Sequence, residues 1–256
     1  MTRKATSKPA AAPLLFSVRD SIAWLTLNRP AAGNAITQPL AQQLISAAEA
    51  IELDDSIRLV VLGAAGKSFC VGVEDGGAWE RRCRWVAAIG SLSVPVIAAV
   101  NGDAIAEGCE LALACDLRFL SPRARLQLPQ LAHGRLPSQG GTQRLPRIIG
   151  RMRALELLLS GRAVEAAEAE RIGLATRVLA ASSFAADLRR AVAQLAARGP
   201  IALRYAKEAV LHGLDLPLDH GIRLEEDLYV LLQTTADRAK GVRAFLQKRR
   251  PAFRGD

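Results

Sequence analysis

A single stretch, Val94–Cys115, constrains the fold of this chain most strongly. It begins with a short apolar run rich in β-branched residues, Val94–Val100, which predicts a strand buried on both faces. Asn101–Asp103 (NGD) predicts a turn, and the residues after Ala104 change to a helical pattern. The stretch therefore predicts a strand, a tight turn and a helix in direct succession.

Glu110 lies close to the predicted start of that helix. The first N–H groups of a helix have no acceptor within it, and the helix dipole makes this end positive. Such N–H groups can stabilise charge that develops on a carbonyl oxygen, and a carboxylate one turn on can move a proton at the adjacent carbon. This combination suits enolate chemistry beside a thioester. A glutamate in a first turn can equally be structural, because it offsets the dipole.

Composition limits the classes of protein to consider. The chain has 256 residues, half of them apolar, and a net charge of +9 from 34 basic and 25 acidic residues. No apolar run reaches the roughly 20 residues that span a bilayer. The four cysteines form no CxxC pair, and the three histidines have no partner at metal-ligand spacing, so no metal site is predicted. We expect a cytoplasmic protein, and the basic balance suits a polyanionic small molecule or nucleic acid.

The order of predicted elements indicates an α/β fold. Two strands, Leu14–Val18 and Ile22–Leu27, predict a hairpin, and repeated strand–strand–helix units follow. The end of the chain is helical by period, with Asp237 as the expected cap of its last helix. We therefore divide the chain into a disordered basic tail (1–13), a core domain (14–195) and a C-terminal helical region (196–256).

Five motifs, in order along the chain, resemble the crotonase family, the enoyl-CoA hydratase/isomerase superfamily. They are NRPAAGNAI (Asn28–Ile36), SFCVGVED (Ser68–Asp75), PVIAAVNGDAIAEGCELALACD (Pro95–Asp116), LPSQGGTQRLPRIIG (Leu136–Gly150) and GVRAFLQKRRPAF (Gly241–Phe253). The resemblance implies a crotonase-like spiral of ββα units with a C-terminal helical trimerisation region. It also implies a homotrimer or hexamer that acts on acyl-CoA thioesters, with coenzyme A as part of the substrate and no separate cofactor.

The resemblance assigns the oxyanion hole to the backbone N–H groups of Val73 and Glu107, and the first catalytic glutamate to Glu110. The family commonly has three glycines where this chain has Ala106-Glu107-Gly108. We expect the Glu107 side chain to point to the surface, with a second acid near the site as the alternative.

Gln130 is the main departure from the family pattern, because hydratases have their second catalytic glutamate at this position. An amide can hydrogen-bond but cannot replace a carboxylic acid as a proton donor. Glu110 can then act alone, with Gln130 orienting water or substrate. Alternatively, Glu107, His133 or Glu74 replaces the missing acid, or the site is degenerate.

The resemblance also assigns residues to the binding of coenzyme A. The resemblance places Val71, Val73 and Glu74 at its adenine and pantetheine end, and Phe245 and Lys248 at its adenine and phosphate, often from a neighbouring subunit. Ala31 and Gly76 stand where hydratases often have lysine, and Ser138 stands where they often have glycine. Gly140 and Gly141 are expected to let the backbone approach the acyl end of the substrate.

These observations favour an enoyl-CoA hydratase/isomerase-type enzyme with Glu110 as its single retained catalytic carboxylate. The alternatives are a non-catalytic subunit and an RNA-binding protein of the same fold. RNA binding is the weaker alternative, because aromatic residues form only 4% of the chain and do not alternate with basic ones. Neither nucleic acid nor a membrane is expected as a partner.

Overall fold

A six-stranded sheet forms the centre of the structure, a computed structural model that describes residues 12–74, 79 and 83–256. Its strands, in spatial order, are β1 (Leu14–Arg19), β2 (Ile22–Leu27), β3 (Leu59–Ala64), β4 (Val96–Val100), β6 (Leu117–Leu120) and β9 (Arg177–Val178). The first two strands pair antiparallel, which confirms the predicted hairpin, and each later neighbouring pair is parallel. The predicted tail falls almost wholly outside the described residues.

The central strand β4 is buried along its whole length. Val96, Ala98 and Val100 pack into one hydrophobic cluster, whereas Ile97 and Ala99 pack into a second cluster on the opposite face of the sheet. Parallel strands lie on both sides of it. A strand in this position has no solvent-facing side, and its sequence is therefore continuously apolar.

Helices pack on the sheet and form the end of the chain. They are α1 (Gln38–Glu52), α2 (Trp85–Gly90), α3 (Glu107–Ala114), α4 (Gly141–Ile149), α5 (Arg151–Ser160), α6 (Ala166–Arg171), α7 (Phe184–Ala196), α8 (Pro200–Gly213), α9 (Leu218–Gln233) and α10 (Ala236–Leu246). Thr37 caps the N-terminus of helix α1, because its side chain accepts a hydrogen bond from the Leu40 N–H. None of the helices in the described ranges is long and apolar enough to cross a membrane.

A small second sheet joins β5 (Ala104–Ile105), β7 (Arg125–Gln127) and β8 (Val164–Glu165). Sequence analysis reads none of these pairings, since strands of two or three residues are too short to show a period. The small sheet carries the chain from the turn after β4 to the start of α3, and it therefore positions the helix that bears Glu110.

The cap predicted for the last helix is wrong. Thr235 is the N-cap of α10, and its side chain accepts a hydrogen bond from the Arg238 N–H. Asp237 lies in the first turn and is buried, and its carboxylate accepts hydrogen bonds from the N–H groups of Arg254 and Gly255. Asp237 therefore holds the C-terminal tail against α10.

Candidate active site

Two glycines bring the start of α3 against a neighbouring chain segment, Lys67–Cys70. A Cβ on Gly102 would lie 1.8 Å from the carbonyl oxygen of Lys67, and a Cβ on Gly108 would lie 2.1 Å from that of Cys70. No real side chain fits at such distances, so both positions require glycine. The helix N-terminus consequently lies directly beside the segment that leads to Val73.

The N–H group of Val73 points away from the backbone ladder that holds this segment. Ile36 and Val73 form a parallel bridge, in which Ile36 N–H donates to Gly72 O (2.8 Å) and Glu74 N–H donates to Ile36 O (2.9 Å). The middle residue of such a bridge directs its own N–H to the opposite side. No backbone acceptor for this N–H is found within the described residues, an arrangement suited to an oxyanion donor.

Ala106, immediately before α3, has a strained backbone. Its φ of 53° and ψ of −121° lie in a region that residues with a Cβ rarely adopt. Conformations of this kind cost on the order of 1–3 kcal/mol and persist where surrounding contacts impose them. Here the short sheet imposes it, because the N–H of Ala106 donates to Gln127 O (2.9 Å).

Substitution of Ala106 by glycine is expected to stabilise the protein by about 1 kcal/mol, because glycine adopts this conformation without the Cβ penalty. The midpoint of urea unfolding measures the change. Ala104→Gly is the matched control, since Ala104 is buried in β5 at a negative φ and loses stability as glycine. If both variants are destabilised equally, the backbone of Ala106 is not strained.

The carboxylate of Glu110 is buried and held by the backbone of a loop. Glu110 is fully inaccessible, and its Oε1 accepts hydrogen bonds from the N–H groups of Gln139 and Gly141, both at 2.7 Å. A Cβ on Gly141 would lie 3.1 Å from Oε1, so glycine here lets the loop backbone reach the acid. The approach of this backbone to the acyl end of the substrate stays a prediction, and the described contact of Gly141 is with Glu110.

Burial raises the pKa of Glu110 to about 7. Desolvation of the charged form is the main cause, and the hydrogen bonds from Gly141 and Gln139 oppose it only in part. The negative charge of Glu107 raises the pKa further. A carboxyl group with a pKa near neutrality can both accept and return a proton at physiological pH.

Gln130 faces the other oxygen of this carboxylate. It lies in a short 3₁₀ helix, Gln130–His133, and only 2% of its surface is exposed. Its Nε2 lies 3.4 Å from Glu110 Oε2 and donates a long hydrogen bond to it. Its Oε1 is buried and has no hydrogen-bond partner among the described residues. The pair therefore presents an acid and an unsatisfied acceptor side by side.

A family model for enoyl-CoA hydratase/isomerase matches residues 17–256, nearly the whole chain. The chain belongs to the enoyl-CoA hydratase/isomerase family. It is a hydratase/isomerase-type acyl-CoA enzyme. The local sequence pattern predicts its strand, turn and glutamate-bearing helix, and the structure adds the short strand β5 between the turn and the helix. Family membership also implies a substrate that carries coenzyme A.

Relatives and solved structures agree with this assignment. The chain is 40% identical to YngF of Bacillus subtilis, over 94% of this chain and 98% of the relative. It is 36% identical to the 2,3-dehydroadipyl-CoA hydratase of Escherichia coli, over 94% and 98% of the two chains. The crystal structure of an enoyl-CoA hydratase from Bacillus anthracis superposes with a TM-score of 0.90 at 34% identity, covering 95% of this chain and 100% of the other.

The prediction that the Glu107 side chain points to the surface is wrong. Glu107 is 3% exposed, and its Oε1 lies 3.6 Å from Nη2 of Arg135. Its Oε2 would lie 3.0 Å from a Cβ on Gly72. The side chain therefore folds inward between the Gly72–Val73 segment and the loop that carries Arg135, because the small residues around it leave room there.

The other two candidate acids of this hydratase/isomerase are an ion-paired carboxylate and an exposed imidazole. The Glu74 carboxylate forms an ion pair with Arg29 at 2.6 Å, and His133 is exposed. Val71 is exposed, and its methyl groups lie beside Gly33. Phe245 and Lys248 are exposed at the end of α10, and the described contacts do not bring them to the Glu110 site within one chain.

Ala31, Gly76 and Ser138 are further positions at which the sequence departs from the residues that hydratases often have. Ala31 is exposed in a 3₁₀ turn, Pro30–Ala32, and Gly76 lies outside the described residues. Ser138 borders the loop that holds Glu110, and hydrogen bonding to its backbone lowers the pKa of that glutamate. No cluster of metal-binding side chains is found in the described part of the chain.

Proposed function

We propose that this enzyme hydrates 2-enoyl-CoA thioesters with Glu110 as the single carboxylate that moves protons. The observation that carries the proposal is the position of Glu110: buried, held at Oε1 by two N–H groups, and with a pKa of about 7. Glu110 Oε1 is committed to the loop, so Oε2 is the oxygen that exchanges protons.

The geometry supports a two-step addition. The thioester carbonyl oxygen accepts hydrogen bonds from the N–H groups of Val73 and Glu107. Glu110 Oε2 takes a proton from water, the water oxygen adds to C3, and the C2–C3 π electrons move toward the carbonyl oxygen to form an enolate. Glu110 then returns the proton to C2, which collapses the enolate to the 3-hydroxyacyl thioester.

Gln130 supports hydration over a double-bond shift. Buried polar groups are normally satisfied, by protein or by ordered water. Gln130 Oε1 is a buried acceptor beside Glu110 Oε2, so a water that bridges these two oxygens would be oriented for attack. A double-bond shift requires no water at this position.

We also infer a homotrimeric or hexameric assembly. The C-terminal helices α8 to α10 expose many large apolar side chains, including Leu214, Leu218, Tyr229, Val230 and Phe245. Large apolar side chains left exposed in this number are typical of a subunit interface. In such an assembly Phe245 and Lys248 would reach the coenzyme A site of a neighbouring subunit.

The test is hydration of trans-2-enoyl-CoA thioesters in D₂O across a range of pH. We expect a 3-hydroxyacyl product with one deuterium at C2. We expect kcat/KM to fall about tenfold per pH unit below about 7, because protonated Glu110 cannot take a proton from water. The reverse reaction, dehydration, needs the same ionised carboxylate, so its kcat/KM should fall with decreasing pH in the same way.

Two outcomes would contradict the proposal. Conversion of 3-enoyl to 2-enoyl thioesters without hydration would identify an isomerase. If kcat/KM does not change between about pH 5 and 8, the range that spans the titration of Glu110, another group carries the proton.

A further inference from the structure

A cavity of about 460 Å³ lies next to the loop that holds Glu110. It is bounded by Cys83 and Arg84 before α2, by Ser138–Gly140, and by Arg144 and Arg147 on α4. The Gln139 N–H bonds Glu110 while the same residue lines the cavity. The cavity therefore lies across one stretch of backbone from the reacting carboxylate. Its volume is in the range of small-ligand sites.

Arg144 is a fixed part of the cavity wall. Its Nη1 donates to Gln139 O at 2.8 Å, and its Nη2 lies 3.3 Å from where a Cβ on Gly90 would be. The guanidinium is thus held between the loop and α2. Burial lowers the pKa of Arg144, and the nearby Glu110 charge raises it, but an arginine remains charged at neutral pH.

The cavity has an excess of positive charge. Arg84 and Arg144 form no ion pair with any carboxylate in the described ranges. Arg147 lies 3.5 Å from Asp215, and both of these side chains are more than half exposed. An exposed pair of this kind is weak. Three arginines thus line a cavity to which none of the described residues contributes a carboxylate.

We propose that this arginine cavity binds a carboxylate at the far end of the substrate's acyl chain. The substrates would then be thioesters of dicarboxylic acids, with one carboxyl joined to coenzyme A and the other free. Arginine suits this role because its planar fork matches a carboxylate with two parallel hydrogen bonds. The inference rests on the proposed function, since it assumes that the thioester lies at Glu110.

Binding of saturated thioesters tests the inference without turnover. Matched pairs are succinyl- and butyryl-CoA, adipyl- and hexanoyl-CoA, and suberyl- and octanoyl-CoA, measured by calorimetry. We expect the member that ends in a carboxylate to bind at least about tenfold more tightly in at least one pair, because one hydrogen bond to a charged group contributes about that much affinity. Arg84→Gln should reduce that preference about tenfold.

Two controls distinguish a contact with the substrate carboxylate from a general effect of positive charge and from a contact with coenzyme A. Arg171→Gln removes an arginine that is likewise exposed, on α6, and that pairs with Glu168 only at 3.9 Å; this change should leave the preference unchanged. Coenzyme A alone should bind wild type and Arg84→Gln equally. A loss of coenzyme A affinity in Arg84→Gln would mean that the cavity contacts phosphate and would overturn the inference.

The failure of this inference is distinguishable from failure of the proposed function. If no pair shows a carboxylate preference, the inference is overturned while hydration of uncharged thioesters still supports the function. If the preference is present and arginine-dependent but no hydration occurs, the cavity assignment stands and the proposed reaction fails. Thermal melting of each variant confirms that it is folded.

Discussion

Replacement of Glu110 by glutamine is expected to lower kcat for hydration by about 10⁴-fold. General acid–base catalysis contributes roughly 10²–10⁴-fold, and this side chain both takes the proton from water and returns it to C2. Glutamine keeps the size of the side chain and can still accept the two N–H bonds from Gln139 and Gly141. The loss would therefore report proton transfer and not a collapsed loop. Steady-state kinetics and C2 deuterium incorporation measure it.

The same variant should be more stable than wild type at neutral pH. The pKa of Glu110 is raised from 4.5 to about 7 by folding, so its effect on stability is fully favourable below about 4.5 and is lost as the pH rises through about 7. Glutamine removes this cost of ionising a buried group, which is about 1.4 kcal/mol for each unit by which the pKa is raised, and we expect the melting temperature at pH 8 to rise by up to about 10 °C. At pH 4 the difference should vanish.

Exposed Glu49 on α1 provides the matched control, since Glu49→Gln makes the same chemical change away from the site. It should alter neither activity nor the pH dependence of stability. Full activity in Glu110→Gln would remove Glu110 from the mechanism, and activity lost together with stability would indicate a structural role only.

The sequence predicts the centre of this protein well because two simple rules act there. A strand buried on both faces must be apolar throughout, as Val96–Val100 is. The turn residues Asn101–Asp103 and the helical pattern after Ala104 then place Glu110 in the first turn of α3. The resemblance to the family then supplies the spiral of ββα units, which no local pattern contains.

The parts that sequence analysis misses depend on contacts between distant residues. The inward orientation of Glu107 follows from the space beside Gly72 and from Arg135, and neither is encoded in the period of α3. The loop that clamps Glu110 lies about 30 positions further along the chain. Strands as short as Val164–Glu165 exist only because β7 is beside them. The arginine cavity likewise joins two segments whose basic residues look like ordinary surface charge when read separately.

Conversion of Gln130 to glutamate is expected to raise kcat for hydration by about 10²-fold. The new carboxyl group would stand beside Glu110 Oε2, where Gln130 Nε2 now lies at 3.4 Å. Two carboxyl groups this close cannot both ionise easily, so one pKa falls and the other rises. At neutral pH the pair would supply one base and one acid, and general acid catalysis of this kind contributes at least about 10²-fold.

The pH profile distinguishes this gain from a simple change in fit. Wild type should show one ionisation, whereas Gln130→Glu should give a bell-shaped kcat/KM whose two apparent pKa values belong to the pair. Gln130→Met, of similar length but without polar atoms, should lose activity about tenfold if Oε1 orients water. The double variant Glu110→Gln, Gln130→Glu carries one carboxyl at the other position and should lose the gain.

The activity of Gln130→Glu decides which role the amide of Gln130 has in the site. A gain would show that the site keeps the geometry for two-carboxylate hydration and runs it with one acid missing. No gain, with a folded protein and an unchanged single-sided pH profile, would contradict the assignment of position 130 to the reacting water. It would then follow that the amide is retained for a contact that a carboxylate cannot make, such as donation to the substrate, because only the amide carries N–H groups at neutral pH.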